Sequence, residues 1–395
     1  MKSITPTLKI LLAFAVSAAL NAGCENSFAD DIPYRPPVQT VDGIAVGTMD
    51  QVAMDTQAMA TCLGRIYANK YDQVHSILVY KDGLLVFEEY MEGNRYGDGP
   101  YYYGERIQWH RDSLHFIMSC TKSVTSALIG IAVEQGAIDL NESIFAYLPD
   151  HRQFNRDGKE AITVEHLLTM TAGLAWDEWG AAHGTSANDI DRIYLEHQKD
   201  PLAGILSMPL VARPGTVFNY SGGNMIVLGE ILRNATGRDI LDFGTEYLFG
   251  PLGIRDIYWH RFENGAYACD GAVLMTPRDM LKIGITFLDN GTWKGEQLIS
   301  PDWVEKSRTP WGNNTGIKVP LDDTGKNGYG YTWWTNRVPS PMGQLDIFQA
   351  SGWGGQEIIV IPGAKMVVVF TGGNYAVKKH IHEMLTDYIL GSLDW

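Results

Sequence analysis

Ser119 and Lys122 are the residues of this sequence whose types and spacing best suit covalent catalysis. Residues three apart share one face of an α-helix, so the serine hydroxyl and the lysine amine can meet. A serine hydroxyl is a weak nucleophile until a neighbouring group takes its proton. Apolar residues recur at helical spacing after Ser119, which predicts a helix beginning there with its free N–H groups beside the hydroxyl.

Tyr220 is a second candidate, because it lies on a predicted turn just before a helical segment. A phenol in such a place can face a cleft and act as a general base beside an ammonium group. The alternative is a buried tyrosine with an ordinary hydrogen-bonded hydroxyl, and the local sequence alone favours that alternative.

A glycine-rich segment at residues 350–356 precedes a predicted strand and supplies two further candidates, Ser351 and Gly352. A strand of this kind lets a substrate lie close to the backbone and can offer an N–H to a developing oxyanion. A bulge or tight turn near a sheet edge explains the glycines equally well.

The pattern of apolar residues predicts the strands and helices that could position these candidates. Apolar runs at residues 76–80 and 84–87, and again at 357–361 and 366–371, flank turn sequences and predict two hairpins. Helical spacing marks 51–68, 163–170, 191–197, 224–235, 240–249 and 380–390. The simplest packing is an α+β fold: an antiparallel sheet flanked by terminal helices, plus an inserted all-helical lobe, with the site in the cleft between them.

The N-terminal residues resemble an export signal. Lys2 and Lys9 precede an apolar run at residues 10–22 that is short for a membrane span, and small residues follow it. We expect residues 1–29 to be removed on export to the periplasm or medium. Cys24 lies in a poor match to a lipoprotein box, with Asn21 where an apolar residue is usual. Membrane attachment is expected only if Cys24 is lipidated.

The remaining chain divides into an N-terminal arm and helix at 30–70 and a catalytic domain at 71–395. Within that domain we assign 71–115 and 255–395 to the sheet lobe and 116–254 to the helical lobe.

The amino-acid composition limits which partners and cofactors the protein is expected to bind. The net charge of -15 disfavours nucleic acid, whose phosphates an acidic protein repels. No Cys/His cluster has zinc spacing, so we expect no metal. Cys62, Cys120 and Cys269 remain after export, which leaves one disulfide open but no complete framework. The oligomeric state is not predicted.

Three segments follow one another along the chain: the Ser-x-x-Lys motif at Ser119, the turn at Tyr220 and the glycine-rich segment at residues 350–356. In this order they resemble the motifs of the penicillin-recognising serine hydrolases, which include class C β-lactamases, DD-peptidases, esterases and 6-aminohexanoate-dimer hydrolases. The similarity extends from about residue 71 to the C-terminus and includes 163–174 and 276–280. It implies a β-lactamase/transpeptidase-like fold, acylation of Ser119, and proton transfer by Lys122 and Tyr220. The N–H groups of Ser119 and Trp353 would form the oxyanion hole, and no organic cofactor is implied.

Two departures from that family pattern bear on the substrate. Gly222 stands where many relatives have the asparagine of Tyr-x-Asn, and Asn219 or Asn224 could replace its amide. Ala350 stands where β-lactamases carry a cation that holds the substrate carboxylate. We therefore expect a small-molecule ester or amide substrate and an esterase or 6-aminohexanoate-dimer hydrolase type of activity.

The alternatives are a β-lactamase or DD-peptidase and, from another class, a non-catalytic binding or sensor module. Trp176 and Trp179 lie in a loop-like stretch that could roof the cleft and contact substrate. The neighbouring Asp177-Glu178 pair is expected to be solvated, since adjacent side chains point apart.

Overall fold

Strands in the described residues, 32–320 and 326–393 of a computed structural model, gather mainly in one sheet. They are β1 (Val74–Lys81), β2 (Leu84–Tyr90), β3 (Glu92–Tyr96), β4 (Tyr103–Gln108), β5 (His115–Phe116), β6 (Tyr258–Trp259), β7 (Val273–Met275), β8 (Thr292–Trp293), β9 (Glu296–Gln297), β10 (Ile317–Lys318), β11 (Lys326–Tyr329), β12 (Trp334–Ser340), β13 (Gly343–Gly352), β14 (Gln356–Ile361) and β15 (Met366–Gly372).

Helices occupy most of the middle of the chain. They are α1 (Thr56–Tyr67), α2 (Cys120–Glu134), α3 (Val164–Leu168), α4 (Asp189–Glu196), α5 (Pro201–Leu206), α6 (Gly222–Thr236), α7 (Ile240–Gly244), α8 (Pro277–Leu288), α9 (Pro301–Arg308) and α10 (Ile381–Glu383).

The main sheet has eight strands in the order β10-β11-β12-β13-β14-β15-β1-β2, and every described pairing within it is antiparallel. Both predicted hairpins are confirmed: β1 pairs with β2 across Asp82-Gly83, and β14 pairs with β15 across Pro362-Gly363. Asp82 and Gly83 both have positive φ, as a tight hairpin turn of this hand requires. Because β1 pairs with β15, the two ends of the chain close one sheet.

Both faces of this sheet are apolar, so both must be covered. In β15, Val367 and Val369 belong to one buried cluster and Val368 and Phe370 to another. On one face, α1 and the turn at Met384–Ile389 pack together as the terminal elements. On the other face lies α8, which approaches so closely that a Cβ on Gly284 would lie 2.5 Å from Val367 Cγ1. The predicted terminal helices thus cover one face of the sheet, and α8 covers the other.

Two of the terminal helices differ in detail from the sequence prediction. The predicted helix at 51–68 is a single turn at Met49–Val52 followed by α1, since Asp55 caps a new start by accepting the N–H of Gln57. The predicted helix at 380–390 begins as α10 and continues as a π-helical turn over Met384–Ile389.

Helix α2 lies where the sheet meets the helical lobe. It packs against β13 and β14 on one side and against α6 and α7 on the other, and most of its residues are buried. It begins as predicted, and Gly136 takes the left-handed conformation just after its last turn. The element that begins at the candidate nucleophile therefore runs through the centre of the molecule.

Cys62, Cys120 and Cys269 are buried free thiols, so the disulfide left open by the sequence does not form among them. Over residues 32–320 and 326–393, no helix combines the length and apolar character needed to cross a membrane. The proposed export signal and Cys24 lie outside the described residues.

Candidate active site

Ser119 sits at the N-terminus of α2, where the chain turns sharply out of β5. Met118, the residue before it, has φ of 47°, which is unusual for a side chain of this size and is typical of strained turns at functional sites. Cys120 Sγ donates to the carbonyl of Gln356, which fixes the start of the helix to β14. The hydroxyl is thus held at a helix N-terminus beside the sheet, as the sequence predicts.

Lys122 lies one helical turn further on and is almost completely buried, with 2% of its side chain exposed. Its Nζ donates to Ser119 Oγ at 3.0 Å and to the carbonyl of Asp270 at 2.7 Å. Neighbouring bonds hold that carbonyl in place, because Thr125 Oγ1 donates to the carbonyl of Cys269 at 3.1 Å. The predicted contact between the serine hydroxyl and the lysine amine therefore exists in the folded chain.

Tyr220 completes the group from the turn before α6. Lys122 Nζ lies 4.8 Å from the centroid of its ring, and the Ser119 hydroxyl is near enough to the phenol to affect its pKa. The ring contacts Trp179 and Trp334, at centroid distances of 5.1 and 5.7 Å, and these two tryptophans also contact each other. Burial and, next, the charge of Glu178 raise the pKa of Tyr220 well above its usual value, while the Ser119 hydrogen bond lowers it. Tyr220 is thus a buried tyrosine that lies beside Lys122, and its role in proton transfer stays a prediction.

Glu178 is a site residue that sequence reasoning missed. It was expected to be solvated, yet its side chain is 9% exposed and its Oε1 lies 4.0 Å from Lys122 Nζ. Its other oxygen, Oε2, accepts the N–H of Gly222 at 2.6 Å and the indole N–H of Trp176 at 2.9 Å. The expectation fails because the loop folds inward at this residue, while Asp177 turns outward and accepts the N–H of Gly180.

Asp270 is a second buried carboxyl that the sequence did not suggest. Its backbone carbonyl holds Lys122, and its Oδ1 accepts the hydroxyl of Tyr194 at 2.8 Å. Burial raises the pKa of Asp270 to about 6, although the charge of Lys122 and the bond from Tyr194 act in the opposite direction. The amine thus lies among three titratable side chains: Tyr220, Glu178 and Asp270.

The end of β13 approaches the segment that precedes Ser119 from the sheet. A Cβ on Gly352 would lie 2.5 Å from the carbonyl oxygen of Ile117, so only glycine permits this approach. The ring of Trp353 stacks on His183 at 4.3 Å and its indole N–H donates to the carbonyl of Tyr375. Oxyanion stabilisation by the N–H groups of Ser119 and Trp353 stays a prediction that this close approach makes sterically reasonable.

Ser351, Asn224 and Trp176 were predicted to contact substrate, and the structure gives each of them internal partners. The Ser351 hydroxyl donates to Glu357 on the adjacent strand at 2.7 Å. The Asn224 amide is buried and donates to the carbonyl of Leu167 at 3.4 Å. Trp176 is buried against Gly223, where a Cβ would lie 2.8 Å from its ring. These internal contacts hold the three side chains in place, and their contact with substrate stays a prediction.

Both asparagines that could replace the amide missing at Gly222 have partners within the chain. Asn219 donates to the carbonyls of Leu174 and Trp176, at 3.3 and 3.0 Å, and so holds the loop. Trp179 is the tryptophan of this loop that remains accessible, with 37% of its surface exposed.

An antiparallel sheet beside a helical lobe, with Ser-x-x-Lys opening the helix between them and a tyrosine facing both, defines the class of penicillin-binding and β-lactamase-like proteins. The Beta-lactamase family model matches residues 73–377, and the chain belongs to that family.

Individual relatives support the same placement. The chain is 24% identical to the 6-aminohexanoate-dimer hydrolase of Paenarthrobacter ureafaciens over 56% of its own length and 58% of that protein. It is 30% identical to Esterase EstB of Burkholderia gladioli over 37% of its length and 38% of that protein. The matched regions thus span about half or less of these relatives.

Among solved structures, a penicillin-binding protein homologue from Caulobacter crescentus superposes with a TM-score of 0.64 at 16% identity, covering 85% of this chain and 97% of the other. At that identity the likeness shows the fold alone.

Proposed function

We propose that the protein is a serine hydrolase that cleaves small-molecule esters or amides through an acyl-enzyme on Ser119. The observation that carries this proposal is the 3.0 Å contact between Lys122 Nζ and Ser119 Oγ at the N-terminus of a buried helix. Tyr220 adds a second proton-transferring group to the same hydroxyl. The presence of all three groups around one hydroxyl disfavours a non-catalytic binding module.

The reaction follows from these positions. Ser119 Oγ attacks the substrate carbonyl carbon while its proton passes to the pair formed by Lys122 and Tyr220. The negative charge that develops on the carbonyl oxygen would be met by backbone N–H groups at the start of α2 and the end of β13. The same pair then protonates the leaving alcohol or amine, and water hydrolyses the acyl-enzyme by the reverse proton route.

Aromatic residues support a substrate with an apolar or planar group near the scissile bond. Trp179, Tyr220 and Trp334 form a stacked wall beside the nucleophile. Ala350 is completely buried and carries no charge that could hold a substrate carboxylate. These two features favour neutral esters and amides over β-lactams, in agreement with the names of the esterase and 6-aminohexanoate-dimer hydrolase relatives.

A substrate panel tests this proposal. Purified protein would be assayed with p-nitrophenyl butyrate, 6-aminohexanoate linear dimer and nitrocefin, with Ser119→Ala as the matched control. We expect ester or amide turnover by wild type that is lost in Ser119→Ala, and nitrocefin turnover that is much slower.

Two results would contradict the proposal. Nitrocefin turnover equal to that of the ester would favour a β-lactamase or DD-peptidase. An absence of any Ser119-dependent turnover would favour the binding module.

We also propose that the mature protein works outside the cytoplasm, in the periplasm or medium. The support is the charged start, short apolar run and small residues of the first 29 positions. Cell fractionation with N-terminal mass analysis tests it: a mature chain beginning at Asp30 is expected. A chain beginning at an acylated Cys24 would indicate a lipoprotein, and an uncleaved cytoplasmic chain would contradict export.

A further inference from the structure

The two carboxylate oxygens of Glu178 have different partners. Oε2 accepts two hydrogen bonds, from the backbone N–H of Gly222 and the indole of Trp176, which fix the carboxylate against the first turn of α6. Oε1 points to the other side and lies 4.0 Å from Lys122 Nζ. A carboxylate anchored so firmly at one oxygen presents its charge to the lysine in a fixed position.

Lys122 requires such a partner. A buried ammonium group without a nearby opposite charge is strongly unfavourable. Its two hydrogen bonds go to a hydroxyl and a backbone carbonyl, both of them neutral groups. Glu178 forms the ion pair that compensates the amine in this buried setting.

Gly222 provides the room for this arrangement. A Cβ at that position would lie 3.1 Å from Glu178 Oε2, 3.1 Å from Asp270 Cβ and 2.9 Å from Ile190 Cδ1. A larger residue would therefore push the carboxylate away from the N–H it accepts. The glycine that departs from the Tyr-x-Asn pattern is the residue against which Glu178 is anchored.

We propose that Glu178 is a positioning residue of the active site, whose charge acts through Lys122 and Tyr220 on the proton leaving Ser119. This inference rests on the proposed function. When the serine proton arrives on the Lys122–Tyr220 pair, that pair gains one positive charge. A fixed carboxylate 4.0 Å from Nζ stabilises that charge as it forms, without touching the substrate.

The environment of Tyr220 agrees with this role. After burial, the charge of Glu178 is the next largest cause that raises the pKa of the phenol. Removal of that charge should lower the pKa of Tyr220 and make the phenolate a weaker base. The titratable and charged groups that face the phenol from the surrounding elements are Lys122, Glu178, Asp270, Cys120 and Tyr329.

Glu178→Gln isolates the charge from the anchoring. A glutamine carbonyl in the place of Oε2 can still accept from Gly222 and Trp176, so the loop should keep its position. Glu230→Gln is the matched control, because Glu230 is a glutamate of equal 9% side-chain exposure that pairs with Arg233 on α6. Glu178→Asp keeps the negative charge but places it one methylene further from Lys122. Its kcat should therefore fall less than that of the glutamine variant.

The measurements are kcat, KM and the pH–rate profile with p-nitrophenyl butyrate, together with melting temperatures of all variants. For Glu178→Gln we expect kcat to fall at least about tenfold, a part of the 10²–10⁴-fold contribution of proton transfer, with KM little changed. The part of the pH–rate profile that follows ionisation of the Tyr220 phenol should move to lower pH. Glu230→Gln should match wild type in all three kinetic readouts.

The outcomes separate this inference from the proposed function. An active wild type whose kcat and pH profile are unchanged in Glu178→Gln overturns the role of Glu178 alone. A variant that loses activity only in proportion to a lowered melting temperature, with an unshifted profile, also overturns it and leaves a structural role. A wild type without Ser119-dependent turnover would instead contradict the proposed function itself.

Discussion

Replacement of Gly352 by alanine should separate the end of β13 from the nucleophile segment. The added methyl would lie 2.5 Å from the carbonyl oxygen of Ile117 and 2.9 Å from Gln356 Cβ. Ordinary van der Waals contact begins at 3.4 Å, so the strand and the segment before Ser119 must move apart by about 0.9 Å, the difference between 3.4 and 2.5 Å. The contact is with backbone on one side, so rotation of a side chain cannot relieve it.

A displacement of this size is large for catalysis and moderate for stability. A misplacement of about 1 Å in a reacting geometry can reduce turnover roughly a hundredfold, which corresponds to about 2.7 kcal/mol in the activation barrier. Overpacking by one methyl group costs about 1–3 kcal/mol of unfolding free energy. We therefore expect Gly352→Ala to remain folded at 25 °C but to lose most of its kcat.

The assay is steady-state ester hydrolysis, with urea unfolding for stability. Gly363→Ala is the control, because its added methyl would meet only the flexible side chain of Leu345, at 3.2 Å, at the far end of β14. It should retain wild-type kcat. A Gly352→Ala variant with wild-type kcat would refute the argument that this glycine sets the distance between the strand and Ser119.

Two further predictions use the groups around Lys122. Tyr220→Phe keeps the ring that stacks on Trp179 but removes the phenol, so kcat should fall roughly 10²–10⁴-fold with little change in melting temperature; kinetics with thermal melts checks this, and a kcat within twofold of wild type would contradict it. Asp270→Asn keeps an acceptor for Tyr194 and removes a carboxyl whose pKa burial raises from 3.8 to about 6. Between those values the folded protein binds more protons than the unfolded chain, so this group lowers wild-type stability as pH rises. The unfolding free energy of the variant relative to wild type should therefore increase by about 2 kcal/mol from pH 4 to 7 in urea titrations; a constant difference would contradict the assignment.

Local sequence patterns predicted those parts of the site that lie within a single helix or hairpin. Ser119 and Lys122 are one turn apart on the same helix, so their contact follows from helical periodicity alone. The hairpins followed in the same way from apolar runs around short turns, and strands at both ends of the chain indicated one shared sheet, in which β1 pairs with β15. Tyr220 needed the family resemblance, because nothing in its own turn distinguishes a catalytic phenol from a packed one.

Contacts between distant segments were not predictable in this way. Glu178 and Gly222 are 44 residues apart, and their bond depends on how the loop folds against α6. Asp177 and Glu178 are chemically alike, yet one caps an exposed turn and the other is buried beside Lys122. Trp176 and Trp179 divide in the same manner, one packed on Gly223 and the other stacked on Tyr220. The two members of each pair are chemically similar and close in sequence, so the sequence does not indicate which one is buried. Only tertiary packing distinguishes them.

Peptide mapping after reaction with a fluorophosphonate tests the central claim most directly. Wild-type protein would be labelled, digested and analysed by mass spectrometry beside Ser119→Ala and Tyr220→Phe. We expect a single adduct on Ser119, none in the alanine variant, and slower labelling without the phenol. An adduct on another residue, or equal labelling of wild type and Ser119→Ala, would contradict Ser119 as the nucleophile.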